Sequence, residues 1–191
     1  MADSNTTKRA LATALKQLMQ ERPFQKISVG DICERCGMNR KSFYYHFKDK
    51  YDLVNWIFDT EFLEFFSGEE HPDFIEAMEV LCRYLYENRA FYRKALAITG
   101  QNSFSDHFRE LCAPAIETRL RDIMPRGEVH SFQVEFMTEG IVGALQRWLR
   151  HRDCMTPEEF MEMLRSCVFG IAIEVARRYG SEGAEIVGMG F

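Results

Sequence analysis

Residues 28–53, SVGDICERCGMNRKSFYYHFKDKYDL, leave this chain little freedom in how it folds locally. Ser28 is a good helix N-cap, and Asp31 three residues on resembles a capping box with a shorter acid. Val29, Ile32, Cys33 and Cys36 face inward on the helix this opens. Gly37 falls where a helix stop commonly needs a left-handed residue. Asn39 can cap a second short helix, from Arg40 to about Phe47, anchored by Phe43 and Phe47 four residues apart. The pattern predicts a helix-turn-helix.

The remainder also reads as helical, with Pro and Gly mostly between periodic segments and no alternating strands joined by tight turns. A first helix is expected from about Thr6 to Arg22, with Leu11, Leu15, Leu18 and Met19 on one stripe and Pro23 ending it. A fourth starts near Lys50 and runs to about Phe66. Further helices are expected over about 73–88, 90–98, 103–123 and 130–151, the third of these with Ser103 or Ser105 as cap and Pro114 inside. The last begins at Thr156-Pro157-Glu158-Glu159, a cap, a proline at the first helical position and acids over the positive helix end. Its inner stripe is Phe160, Leu164, Cys167, Ile171 and Val175. The glycine-rich tail is expected to be loose. The fold class is all-α: three helices over 1–50, a larger helical body over 51–180, and a tail over 181–191.

Charge divides along the same line. Residues 1–58 hold ten Lys and Arg against six Asp and Glu, a balance of +4, while 59–191 hold fourteen against twenty-three, −9, within a net −5. A basic end can meet phosphates while an acidic body stays clear of them. No apolar run approaches a membrane span and the first residues lack a signal-peptide core, so a cytoplasmic protein without a membrane partner is expected. Six cysteines in such a chain are expected to be reduced. Cys33-x-x-Cys36 could be a metal or redox pair or two buried thiols; no second Cys or His pair has zinc-like spacing, and the thiol reading is preferred. Neither a metal nor a cofactor is expected.

The second helix of the motif carries the chemistry. A helix fits the major groove and its first residues meet base edges. Arg40 and Lys41 stand at that end, where either can donate to guanine or to a phosphate, and Tyr45 follows Lys41 by one turn on the same face. Ser42 and Tyr44 can donate to phosphate oxygens, and Lys50 offers another phosphate contact. His46 is either a packed, hydrogen-bonded histidine or a DNA contact.

Residues 6–53 resemble the DNA-binding domain of TetR/AcrR-type transcriptional regulators through Ile27-Ser28-Val29, Asp31-Ile32-Cys33, Cys36-Gly37-Met38, Ser42-Phe43-Tyr44, His46-Phe47, Lys50 and Leu53. The resemblance implies an all-helical homodimer on a double-stranded operator, with 1–50 as a three-helix DNA-binding domain and 51–180 as a helical ligand and dimerisation domain. It implies phosphate contacts for Tyr44 and Lys50, and places Ser28, Lys41, Ser42 and Tyr45 at or near the groove. Cys33 and Cys36 stand where the family usually has alanine, and Lys41 replaces a commonly small residue. Glu87–Arg93, Gly100–Phe104, Gly140–Gly143 and Trp148-Leu149 resemble regulators similar to the dihydroxyacetone-kinase operon activator, which implies a protein co-regulator. Repression is the family's commoner mode; this subgroup points to activation.

Two features of the body remain open in sequence. Gly140, Gly143 and Ala144 would let the last two helices approach those of a second copy, or the apolar stripes fill the protomer's own core. Tyr84, Tyr92, Phe104, His107, Phe136, Met137 and Trp148 could line an effector pocket or be ordinary core. The rival class, a small helical enzyme, finds no phosphate loop, metal-helix motif or nucleophile elbow. Asp106-His107 and Glu135 with Glu139 have no defined partner.

Overall fold

In the computed structural model, residues 2–62, 73–98, 103–123, 129–151 and 153–167 are described. The described residues are helical, with no strand among them. In order they form α1 (Ala2–Glu21), a 3-10 turn (Phe24–Lys26), α2 (Val29–Arg35), α3 (Arg40–His46), α4 (Lys50–Glu61), α5 (Phe74–Glu87), α6 (Arg89–Ala95), α7 (Phe104–Ile123), α8 (Ser131–Arg150) and α9 (157–167). The expected elements are all present. The first starts four residues earlier than the periodicity suggests. The expected extension of α4 to about Phe66 and the loose tail lie outside the described residues, as do Ile171 and Val175.

The chain divides into two compact units, residues 1–72 with 87–110 and residues 73–86 with 111–191. The first is built on α1. Leu11, Leu15, Leu18 and Met19 are buried as their spacing requires, and α2, α4 and α6 pack against this helix. Pro23 ends it, and Lys94 of α6 donates to the carbonyl of Met19, a cation over the negative helix end. Phe58 of α4 sits among Tyr92, Phe104 and Phe108, with ring centroids 5.4–5.9 Å away. These aromatic rings join α4 to α6 through Tyr92 and to the start of α7 through Phe104 and Phe108.

In the second unit Met78, Leu81, Cys82 and Leu85 of α5, Ile116 and Leu120 of α7 and Ile141, Val142, Leu145, Trp148 and Leu149 of α8 are buried. α7 continues helical through Pro114. Trp148 is stacked between Tyr86 and Phe160, centroids 5.9 and 4.4 Å away, and its Nε1–H donates to the Met155 carbonyl at 2.8 Å. Thr156 and Glu159 cap α9 reciprocally. Cys167, expected on an inner stripe, and Phe136, expected in a pocket or the core, are both exposed. Phe136 is 63% exposed and stacks on Phe132, itself 71% exposed, one turn earlier on α8. Gly140 and Gly143 continue that outer face of α8, with no atom in reach of an added methyl.

Candidate nucleic-acid interface

The motif is fixed at each end by side-chain caps. Ser28 Oγ accepts from the Asp31 amide, while the Ser28 amide and hydroxyl both donate to Asp31 Oδ2, at 2.7 and 2.6 Å. Those bonds, with the Arg22 guanidinium 3.0 Å away, hold the Asp31 carboxyl down at about 2. Gly37, at φ 69°, takes the left-handed conformation that ends α2 without a Cβ penalty. Asn39 then caps α3, its Oδ1 accepting from the Ser42 amide at 2.8 Å and the Ser42 hydroxyl at 3.2 Å. Asp49 caps α4 through the amides of Tyr51 and Asp52, and Asp52 accepts from the Lys48 amide.

Between these caps α3 turns Phe43 inward, fully buried, against Phe47, which leans on Trp56 of α4. The opposite face carries what the sequence placed there. Arg40 and Lys41 are exposed, Tyr44 is 58% and Tyr45 83% exposed, and half-buried His46 sets its ring edge-on to Tyr45 at 4.9 Å. Two large aromatics thus stand exposed next to each other on one seven-residue helix. Ser42 is half-buried beneath its cap. Cys33 is buried and Cys36 half-buried, with burial pushing both thiols up.

Lys50, expected from the sequence to meet a phosphate, is engaged within the fold. Its Nζ donates to the carbonyls of Phe24 and Ile27 at 2.9 and 2.7 Å and lies 4.3 Å from the centre of the Phe24 ring. Desolvation lowers its ammonium pKa, against the pull of Asp31 and Asp49. It ties the first residue of α4 to the strand-like entry of α2, leaving one of its three protons for another acceptor.

The seven candidate pocket residues fall in different units. Tyr92 and Phe104 are fully buried in the first, ring centroids 5.6 Å apart. His107 is half-buried there, its Nε2 2.7 Å from Asp59 Oδ1 of α4, a contact that raises the imidazole pKa. It borders a polar cavity of about 570 Å³ that also meets Asp52, Asn55, Asp106 and Glu110. Tyr84, Phe136, Met137 and Trp148 belong to the second unit, where Trp148 is core and Phe136 is surface. Sequence reasoning passed over Asp59, whose partner lies 48 residues away, and Gly30. The signal at Gly30 was a residue with no side chain in the first turn of a helix that gains nothing from glycine.

Comparison with known proteins agrees with this geometry. Residues 10–57 match the family model for bacterial regulatory proteins of the tetR family, and residues 73–170, just over half of the chain, match a transcriptional regulator C-terminal region. The HTH-type dhaKLM operon transcriptional activator DhaS of Lactococcus lactis subsp. lactis (strain IL1403) is 34% identical over 99 residues, 51% of this chain and 53% of that protein. The match thus spans about half the relative's length. The solved structure of a dihydroxyacetone kinase operon activator DhaS is 24% identical, with a TM-score of 0.61 over 87% of this chain and 97% of that one. A TetR transcriptional regulator from Streptococcus agalactiae 2603V is 23% identical, with a TM-score of 0.66 over 85% and 93%. At these identities the two structures show a shared fold.

Proposed function

Because the chain belongs to the TetR family of bacterial transcriptional regulators, we propose that it binds a near-palindromic operator as a homodimer, with α3 in the major groove and a small ligand or protein partner on the C-terminal part changing its affinity. The observation that carries this reading is the outer face of α3, where Lys41, Tyr44 and Tyr45 stand exposed on a helix capped at Asn39 and anchored by Phe43. Lys41 and Tyr45 read base edges near the start of the helix; Tyr44, Ser42 and the remaining proton of Lys50 meet phosphates. Ser28 and His46 border the groove. A two-fold dimer puts two such helices in successive major grooves, roughly 34–36 Å apart.

The second copy docks on the outer face of α8. Phe132 and Phe136 supply apolar area, Gly140 and Gly143 allow close approach, and Glu135 and Glu139 lie at the opposite end of the helix from Arg147 and Arg150. Two antiparallel copies crossing near Gly143 bring these unlike charges together.

Selection of bound DNA from genomic fragments, followed by titration at two salt concentrations, tests the proposal. A tight near-palindromic site with steep salt dependence is expected. Absence of any enriched site, with and without candidate effectors, counts against it. An activating role is the second reading, favoured by the printed description of the Lactococcus relative. A reporter behind the selected site, whose output falls when the regulator is deleted, would distinguish activation from repression.

A further inference from the structure

Arg40 is the first residue of α3, but its side chain does not follow the helix outward. A methyl built on Gly30 would lie 2.6 Å from Arg40 Nη2 and 3.3 Å from both Cζ and Nε. The guanidinium as a plane, not only its tip, therefore covers the first turn of α2. Arg40 also acts electrostatically on the thiol of Cys33, one turn further along the same helix, opposing the upward push of burial. Among the described residues it has no ion-pair partner, since the nearby Asp31 carboxylate is taken by Ser28 and Arg22. An unspent cation is thus parked against α2 in space that exists because residue 30 has no side chain.

We infer that Gly30 is a positioning residue for DNA recognition: the space it leaves seats the Arg40 guanidinium against α2, and that seat commits Arg40 to the sugar–phosphate backbone instead of a base edge. The inference rests on the operator-binding function proposed above. In a helix-turn-helix the first helix crosses the backbone while the second enters the groove. A guanidinium laid back over the first helix is therefore delivered to phosphates. A Cβ at position 30 would overlap Arg40 Nη2, so the guanidinium must shift off this seat; from the first turn of α3 the groove is then within its reach, where a fork of donors pairs with guanine O6 and N7.

The test measures site preference and salt dependence for the full-length wild-type chain, Gly30→Ala, Arg40→Ala and the double variant. Arg40→Ala should weaken all sites alike and reduce the slope of log affinity against log salt by about 1. Gly30→Ala should melt no lower than wild type, because alanine suits a helix better than glycine. It should gain a guanine preference of roughly five- to one-hundredfold at one position per half-site, and the double variant should lose that preference again. The inference is overturned if Arg40→Ala relaxes an existing base preference, if Gly30→Ala leaves preference and salt slope untouched, or if it shifts preference equally with and without Arg40. A wild-type chain that selects no site at all would instead remove the operator-binding function, and this inference with it.

Discussion

Lys50, proposed to meet a phosphate, already serves the fold. Two backbone carbonyls at the entry to α2 receive its protons, and the Phe24 ring lies beneath it. Lys50→Met keeps the stem and removes the donors, so it should cost about 1–3 kcal/mol of stability. A urea titration reads this directly; an unshifted midpoint would leave Lys50 with a phosphate role alone. His107 is the second such residue. Its hydrogen bond to Asp59 raises the imidazole pKa above the ordinary 6.5, with Glu110 and Asp52 adding to the effect and burial opposing it. The stabilisation is therefore complete below pH 6.5 and is lost as pH rises through the raised value. Wild-type melting temperature should fall across that window more than that of Asp59→Asn, and parallel curves for the two would contradict the linkage.

At the scale of elements, the turn between α2 and α3 does the aiming. Asn39→Ala removes the acceptor for the Ser42 amide and should cost about 1 kcal/mol. Gly37→Ala places a Cβ at a φ of 69° and should cost about 1–2 kcal/mol. Denaturant midpoints check both, and a stability-neutral Gly37→Ala would mean the turn tolerates a different backbone. These features were legible in the sequence because caps and turn glycines act within three or four residues of themselves. The inward pair Phe43 and Phe47 was legible for the same reason, through its spacing. What escaped were contacts set by tertiary placement: Lys50 on the carbonyls of Phe24 and Ile27, His107 on Asp59, and Arg40 over Gly30. Phe136, read as pocket or core, is on the surface: periodicity marks a helix's apolar side without saying whether its own protomer covers it.

For the whole molecule, that uncovered side is the informative part. Gly143 has no atom within reach of an added methyl, so Gly143→Leu should leave the protomer folded while blocking a close crossing of two copies of α8. Sedimentation at micromolar concentration should give a dimer for wild type and a monomer for this variant. A dimeric Gly143→Leu would place the interface elsewhere. The division of charge fits the same picture, since the basic end and the acidic body lie in different stretches of the chain.

The chain has two tryptophans, and the fold gives one to each unit. Trp56 lies on α4 against Phe47 with the Lys8 ammonium 5.6 Å from its ring, while Trp148 is sandwiched between Tyr86 and Phe160. An indole beside a cation and one between two stacked rings should emit differently. Replacing either with phenylalanine leaves a single tryptophan, in the first or in the second unit. Ligand binding and unfolding can then be followed optically in each half, without attaching a dye.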